Sequence, residues 1–348
     1  MATNFSVTGL ADYIQGNPII AIQDLVLTGQ TKDLFSYQTG IKATERVMDM
    51  SGSAAVLQTG DYTGITGHSG GVSLTDITIT VTPLYVKEKY TKQILQGKLA
   101  QIAEKLGSNP EEIPFSDTIM ELKGRQINFA NEQLLWRGDT STNGWGFNSS
   151  TGLNTLGVPV YTAVDPSVAA NLAFFDGIIK QLYLDSSTVT IGSADASWGP
   201  LTGTSAPLVV NKIVDKFYTI NPAFIGIETV MAMSPKDFMT YNRALYGLDG
   251  KNIITTLIID KEPYQYMRVP GTNVIAHAVV GLTEIGSLTS SPIVLTRPEN
   301  IIVGYDLKGE DEFLDFTYMD FPRWYELFAV YKLGVKVVRK YEVVAKLR

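Results

Sequence analysis

The segment Ser51–Thr82 constrains this chain most, because it is long, nearly uncharged and rich in glycine. The part up to Leu74 holds six glycines and one charged residue, and the whole segment contains no Lys, Arg or Glu. Towards its end, Ile77, Ile79 and Val81 alternate with polar residues, which is the period-two pattern of a strand. An isolated two-stranded hairpin is only marginally stable in water. We therefore expect a neighbouring subunit to cover this projection.

Composition indicates a globular protein with room for partners. The 348 residues suffice for one large or two modest domains, and 45% of them are apolar against 18% charged. The low charge leaves neutral surface that can be buried against other chains. A net charge of −7 argues against sequence-independent nucleic-acid binding, because proteins that bind in this way concentrate Lys and Arg for the phosphates. The same charge is compatible with a container that encloses nucleic acid.

Several classes of site and location are excluded or disfavoured. The chain has no cysteine, so disulfides and thiolate metal sites are excluded, and its two histidines would need carboxylates to complete a metal site. Residues 1–16 contain no Lys or Arg and no continuous apolar core, so no secretory signal is expected. No window approaches the roughly eighteen apolar residues of a membrane span. We expect a soluble chain that is intracellular when made.

Two helices are expected after the projection. An apolar face over Tyr90–Leu106, with Gly107 at the C′ position, predicts the first. A longer helix is expected over Ser116–Trp136, with Ser116 as N-cap and Asp117 near the positive helix end. Its length predicts a rod of about 30 Å at 1.5 Å per residue.

Residues 157–290 have the pattern of a separate α/β unit. Helices are expected over Ala169–Leu184 and Leu208–Ile220. A third begins at Ser234, an N-cap followed by Pro235, and is expected to stop at Gly247. Buried strands are expected over Phe224–Met233 and Val274–Val280.

The end of the chain returns to strands. Ile301–Tyr305 and Phe313–Tyr318 are expected to flank a turn around Gly309 as a hairpin. Strands at Glu326–Lys332 and Val335–Val344 follow, and Gly334 is expected to separate these last two.

Three segments in a fixed order carry a resemblance to a known family. They are NEQLLWRGDTSTNGWGFNSSTGLNTL at 131–156, MAMSPKDFMTYNRALYG at 231–247 and KLGVKVVRKYEVVAKL at 332–347. The first joins an acidic, leucine-rich helix end to a glycine-rich stretch and Gly152-Leu153. With this order of parts, the chain resembles the tailed-bacteriophage major capsid proteins, whose Hong Kong 97-like fold is shared with encapsulins.

The resemblance implies an α+β fold with several named parts. They are an N-terminal arm at 1–50, an extended loop at 51–86, a peripheral domain at 87–156 and 287–348 with a spine helix at 116–136, and an axial domain at 157–286. It also implies a structural role, in which hexamers and pentamers of this chain form the icosahedral head around packaged double-stranded DNA. The implied location is the virion, assembled in the host bacterial cytoplasm, and no cofactor is expected.

The expected partners are copies of the chain itself, a portal, and separate scaffolding or decoration proteins. Some members of the family crosslink subunits through a lysine on the extended loop, and Ser51–Thr82 has none. Shell strength is therefore expected to be non-covalent or to come from a decoration protein. We expect a separate scaffolding protein or none, because the extended loop is reached within about fifty residues of Met1. The expected inter-subunit contacts are Gly60, Asp61, Tyr62, Gly64, His68, Gly70, Ile77, Ile79, Lys336, Arg339 and Lys340.

Two charged runs near the C-terminus have competing interpretations. Six acids lie between Asp306 and Asp320, and clustered carboxylates can bind Ca²⁺ or Mg²⁺. The candidate ligands are Asp306, Glu310, Asp311 and Glu312. A solvated hairpin tip is the favoured interpretation, and the alternative is contact with the basic stretch Lys332–Arg348 of a neighbour.

Other structural and enzymatic functions stay open. An encapsulin shell would load protein rather than DNA, and a tail-tube or sheath protein would form helical tubes. No constellation of base, nucleophile and metal ligands predicts an enzyme. His68 is interpreted as an exposed loop residue and His277 as a core or interface residue.

Overall fold

The computed structural model describes residues 30–52, 72–91, 115–140, 172–184, 189–190, 201–203, 205–249, 266–283, 292–306, 313–319 and 324–346. Their helices are α1 (Gln30–Leu34), α2 (Phe115–Arg137), α3 (Ile178–Tyr183), α4 (Ser205–Ile220) and α5 (Pro235–Asp249). Their strands are β1 (Ser36–Thr39), β2 (Thr44–Gly52), β3 (Val72–Thr80), β4 (Thr82–Thr91), β5 (Val189–Thr190), β6 (Thr229–Met233), β7 (Tyr266–Arg268), β8 (Val274–Ala278), β9 (Ile293–Thr296), β10 (Ile301–Asp306), β11 (Phe313–Met319), β12 (Trp324–Val337) and β13 (Val344–Lys346). The strands form a five-stranded sheet, a six-stranded sheet and a two-stranded ribbon, so the predicted α+β class is confirmed. None of these helices has the length and apolar character that a membrane crossing needs.

The long strand β12 organises the five-stranded sheet. β10 and β11 both pair with it antiparallel, β10 along Lys332–Val337 and β11 along Trp324–Val330. β4 pairs with the opposite edge of β12, and β1 adds to β10 in parallel. The two strands expected to form a hairpin therefore lie end to end along β12 and do not pair with each other. That hairpin prediction is wrong, and residues 307–312 lie outside the described part.

The prediction that Gly334 separates two strands is also wrong, because β12 runs through it. Gly334 lies opposite Gly304 of β10. A Cβ built on Gly334 would lie 2.2 Å from the carbonyl oxygen of Thr80, and one on Gly304 would lie 2.7 Å from the Cδ1 of Ile79. The two glycines therefore let the end of β3 cross the sheet at close range.

Replacing Gly334 by alanine is expected to lower the free energy of unfolding by about 3 kcal/mol, because the new methyl group would overlap backbone that cannot easily move. Urea unfolding of the unassembled subunit measures this loss. Gly203→Ala is the control, since a Cβ there meets nothing within 4 Å. Equal unfolding midpoints for Gly334→Ala and the unmodified chain would contradict the close approach.

The ribbon consists of β2 and β3, paired antiparallel from Thr44 opposite Thr80 to Gly52 opposite Val72. The strand predicted from the alternation around Ile77 is confirmed. Its partner strand starts at Thr44, before the segment in which the projection was expected to begin. We call these two strands the ribbon; residues 53–71 between them lie outside the described part.

The six-stranded sheet, in the order β5-β13-β9-β6-β8-β7, has a core on each face. Met231 and Met233 of β6 pack in one cluster with apolar residues of α4 and α5. Val230 and Ala232 of the same strand point to the other face, where they join a cluster with α2 and α3. This alternation places the sheet between two helical layers.

The helix predictions in this region are confirmed in part. The N-cap of α5 is as expected, because the backbone N–H of Asp237 donates to the Ser234 Oγ at 3.1 Å. Gly247 does not stop α5, which ends at Asp249. The helix expected from Ala169 is only Ile178–Tyr183, because residues 172–177 are not helical.

One strand prediction and one further helix prediction also differ from the structure. The strand expected from Phe224 starts at Thr229, because Pro222–Phe224 forms a 3-10 turn. Of the helix expected over Tyr90–Leu106, Tyr90 and Thr91 belong to strand β4 and the rest lies outside the described part.

The long helix α2 confirms the predicted spine, with bounds shifted by one residue at each end. From Asn131 to Asp139 every residue is buried, so this end has no solvent face.

Part of the expected N-terminal arm also packs against its own chain, since Thr31, Phe35 and Ile41 are buried. A long N-terminal arm is expected to need contacts from outside its own chain to be ordered, and for residues 30–41 that expectation is wrong.

Candidate assembly surfaces

The ribbon has two chemically different faces. Successive side chains of a strand point to opposite sides, and Met50 lies opposite Leu74 in the register. The outer ribbon face therefore carries Arg46, Met48, Met50, Val72, Leu74 and Asp76. The inner ribbon face carries Val47, Asp49, Ile77 and Ile79.

The outer ribbon face exposes a row of large apolar side chains. Met48 is 70% exposed, Met50 65%, Val72 72% and Leu74 62%. The ion pair between Arg46 and Asp76 lies beside them, with 3.6 Å between the charged atoms. An exposed apolar group of this kind is typical of a protein–protein contact.

The inner ribbon face packs on the chain itself. Ile79 is completely buried with Ile41 and Val81, and Val47 and Ile302 pack against this cluster. Farther along, the guanidinium of Arg339 donates to the Asp49 carboxylate at 2.5 Å. The ribbon is thus held by an apolar base and a charged contact while its outer face is left open.

A second exposed apolar group lies on the loop between α4 and β6, residues 222–228, which we call the α4–β6 loop. Ile225 is 65% exposed and Ile227 48%. Gly226 has a φ of +92°, which favours glycine, and its carbonyl accepts a hydrogen bond from Asn273 Nδ2 at 2.6 Å. The loop is therefore fixed in a conformation that presents both isoleucines to solvent.

The buried end of α2 ties the N-terminal segment to the rest of the chain. The backbone N–H of Thr31 donates to Glu132 Oε1 at 2.9 Å, and its hydroxyl donates to Glu132 Oε2. Trp136 Nε1 donates to the same hydroxyl at 2.7 Å. Burial raises the pKa of Glu132 to about 7 against the opposing effect of the Thr31 hydrogen bonds, and the charge of Asp33 raises it further.

A second buried polar group closes the C-terminal end of α2. Lys180 of α3 forms ion pairs with Asp139 and, at 2.7 Å, with Asp176. Burial alone would lower the pKa of Lys180, but the hydrogen bonds to Asp139 and Asp176 outweigh it, so the pKa is raised. Arg137 NH2 donates to the Leu282 carbonyl at 2.7 Å. These contacts fix α3 and the turn at Val280–Leu282 against the helix.

Most predicted loop contacts lie outside the described residues. These are Gly60, Asp61, Tyr62, Gly64, His68 and Gly70. Ile77 is half-buried on the inner ribbon face. Ile79 is corrected, because its side chain is completely buried within its own chain and has no surface left for a neighbour.

The basic stretch is largely engaged within the chain. Arg339 contacts Asp49, and burial lowers the pKa of the half-buried Lys336. Lys332 reaches Asp306 at 3.3 Å, and Asp306 is 1% exposed. Lys332 and Asp306 thus form their ion pair within one chain and not between neighbouring subunits. Lys340 begins a 3-10 turn and is half-buried.

The candidate metal ligands are not brought together among the described residues. Asp306 is buried against Lys332, and Glu310, Asp311 and Glu312 lie outside the described ranges. Within those ranges no group of three or more His, Cys, Asp or Glu side chains could hold a metal ion. His277 lies against the Tyr266 ring with centroids 5.6 Å apart, and burial lowers its pKa to about 4.

Comparison with known proteins places the fold. No family model matches the sequence, and no curated protein matches it. A solved chain of the satellite phage P4 procapsid, which includes the size determination (Sid) protein, is 9% identical with a TM-score of 0.52, covering 94% of this chain and 96% of that one. This likeness shows that the chain has a phage capsid fold, as the sequence resemblance implied.

Two further solved structures match over most of their length. A chain from the capsid of the Myoviridae phage XM1 is 10% identical with a TM-score of 0.49, covering 91% of this chain and 90% of that chain. A chain of the virus-like particle from Pyrococcus furiosus is 7% identical with a TM-score of 0.47, covering 96% and 99%.

Proposed function

We propose that this chain is the major capsid protein of a tailed phage. Copies of it form the hexamers and pentamers of an icosahedral head that encloses packaged double-stranded DNA. The observation that carries the proposal is the outer ribbon face, an exposed apolar surface on a chain with a phage capsid fold.

The partner of the outer ribbon face is a second copy of the chain. Each fully buried Met, Val or Leu side chain contributes about 1.5–3 kcal/mol, so Met48, Met50, Val72 and Leu74 together supply a modest contact. Such a contact is weak alone, but every subunit in a closed shell makes and receives it. Repetition then gives a stable lattice through multivalency.

The α4–β6 loop supplies a second self-contact in this proposal. Ile225 and Ile227 are exposed on a fixed turn, which lowers the entropy lost when a neighbour covers them. The ribbon and the loop come from different elements, so each offers a separate surface to a copy of the chain.

The remaining partners follow from the proposed role. A portal and separate scaffolding or decoration proteins join the assembled head, which forms in the host bacterial cytoplasm and becomes part of the virion. The absence of lysine from Ser51–Thr82 supports a shell held together without a covalent crosslink from that segment.

Leu74→Glu tests the proposal. The charge lies on the outer ribbon face, so the variant is expected to give soluble folded subunits and no closed shells. Ser73→Glu is the matched control, since the neighbouring residue points to the opposite face and is also exposed. Negative-stain electron microscopy and sedimentation velocity distinguish subunits from shells.

The contents and shape of the particles test the rest of the proposal. Nuclease-protected double-stranded DNA in particles from infected cells is expected. Shells that hold protein in place of DNA would indicate an encapsulin-type compartment, and tubes would indicate a tail protein. Normal closure by Leu74→Glu would refute the role of the ribbon.

A further inference from the structure

A chain of alternating charges runs from the ribbon to the α4–β6 loop. It consists of Asp49 on β2, Arg339 and Glu342 between β12 and β13, and Arg297 after β9. These residues are far apart in sequence and come from different elements. Each successive pair is within ion-pair distance, as the following contacts show.

The first contact holds the ribbon. Arg339 Nε donates to Asp49 Oδ1 at 2.5 Å, and its NH2 donates to the Met50 carbonyl at 3.4 Å. The Asp49 side chain is only 8% exposed. A carboxylate that is this buried depends on its cation, because an unpaired buried charge is strongly unfavourable.

The backbone of Arg339 is itself fixed. Its N–H donates to Asn300 Oδ1 at 2.6 Å, and Asn300 Nδ2 donates back to the Arg339 carbonyl at 2.9 Å. The Arg339 guanidinium can therefore change partners only by rotation of its side chain. The two carboxylates within its reach are those of Asp49 and of a second acidic residue on its other side.

That second carboxylate is Glu342, and two arginines share it. Arg339 NH1 lies 3.6 Å from Glu342 Oε1, while Arg297 binds Glu342 Oε2 through Nε at 3.1 Å and NH2 at 2.6 Å. The two-donor contact makes Arg297 the stronger partner. Arg297 holds one oxygen of Glu342, so Arg339 makes only the longer contact with the other oxygen and keeps its short contact with Asp49.

Arg297 also contacts the α4–β6 loop. Its guanidinium carbon lies 4.4 Å from the centroid of the Phe224 ring, a cation–π contact. Phe224 directly precedes Ile225, whose side chain is one of the two exposed isoleucines. A neighbour that presses on the loop therefore acts on Arg297.

We propose that Asp49, Arg339, Glu342 and Arg297 form a charge relay that couples the position of the ribbon to the α4–β6 loop. When Arg297 leaves Glu342, the freed carboxylate competes with Asp49 for Arg339 and the ribbon is released. The relay deepens the proposed function, on which its biological meaning rests, because it links two self-contact surfaces within one subunit.

Hydrogen exchange on unassembled subunits tests the relay without requiring shells to form. Arg339→Gln is expected to speed exchange of ribbon amides in 44–52 and 72–80 by tenfold or more. Arg297→Gln, two contacts away, is expected to speed the same amides by about threefold. The double variant should be no faster than Arg339→Gln alone, because both changes act through one contact.

Two controls make the outcome decisive. Glu299→Gln removes an exposed partner of Arg297, 3.7 Å away and 80% exposed, and should leave ribbon exchange unchanged. Unchanged exchange in α2 shows that each variant is folded. Unchanged ribbon exchange in Arg297→Gln would overturn the coupling even if Arg339→Gln had its effect, and rates that add in the double variant would also overturn it. A failure of shell assembly in the unmodified chain would count against the proposed function and not against the relay.

Discussion

Replacing Lys180 by methionine is expected to lower the free energy of unfolding by about 3–5 kcal/mol, because it removes one member of a buried ion pair. Methionine fills a similar volume but removes the ion pair between Lys180 and the Asp139 carboxylate, which is 4% exposed. The same change breaks the contact that joins α3 to the end of α2. Equilibrium urea unfolding of the unassembled subunit, followed by tryptophan fluorescence, measures the loss.

Matched variants separate the buried charge from simple packing. Asp176→Asn should cost about 1 kcal/mol or less, because the Asp176 side chain is 39% exposed and water can replace its partner. Asp139→Asn combined with Lys180→Met should recover part of the stability lost by Lys180→Met alone, since the buried carboxylate that lost its ion pair with Lys180 is then replaced by a neutral amide. If Lys180→Met unfolds at the same urea concentration as the unmodified chain, the ion pair does not stabilise this junction.

Local signals in the sequence predicted the elements that depend on neighbouring residues. The N-cap Ser234 and Pro235 start α5 where expected, and the helix expected over Ser116–Trp136 differs from α2 by one residue at each end. These signals work because capping and amphipathic faces act over one or two turns.

The two errors in the five-stranded sheet concern long-range pairing. Turn residues around Gly309 are compatible with a hairpin and also with a loop that joins two strands lying end to end. Only the pairing of both strands with β12 decides between these two arrangements. A glycine such as Gly334 is typical of a strand break. Here the close approach of the Thr80 backbone explains it instead. In each case the deciding contact comes from a residue that local patterns do not identify.

Long-range contacts also explain why the sequence did not indicate some residues of the assembly surfaces and of the buried end of α2. Met48 and Met50 lie in a stretch with mixed polar and charged residues, and their shared face appears only once β2 is paired with β3. Glu132 and Asp139 are charged residues that a helical pattern assigns to solvent. Their burial depends on Thr31 and Lys180, which are remote in sequence.

Glu132→Gln is expected to stabilise the subunit by about 3 kcal/mol above pH 8 and to have little effect below pH 5, since a difference of one between folded and unfolded pKa corresponds to about 1.4 kcal/mol. Burial, opposed by the Thr31 hydrogen bonds, raises the pKa of Glu132 from 4.5 to about 7. A raised pKa means that the folded chain holds its proton more tightly than the unfolded chain. The contribution of the group to stability is thus full below pH 4.5 and is lost as the pH rises through 7.

Glutamine keeps both side-chain contacts with Thr31, reverses the direction of the hydroxyl hydrogen bond and removes the titration. Its carbonyl can accept from the Thr31 N–H and its amide can donate to the Thr31 hydroxyl, as a protonated carboxyl group would. The difference between the two stability curves, measured by urea unfolding from pH 5 to 9, isolates Glu132. The stability curve of the unmodified chain alone does not isolate Glu132, because His277 also titrates. Burial lowers the pKa of His277 to about 4, so its contribution makes stability rise with pH up to its ordinary pKa of 6.5.

Asp33→Asn supplies an independent check on the same group. The charge of Asp33 helps to raise the pKa of Glu132, so its removal should shift the loss of stability towards lower pH. Glu299→Gln, on an exposed side chain, should leave the curve unchanged. Parallel curves for Glu132→Gln and the unmodified chain would mean that the carboxyl group is ionised at no cost in the folded state. Thr31 would then be bound by an ordinary, solvated glutamate.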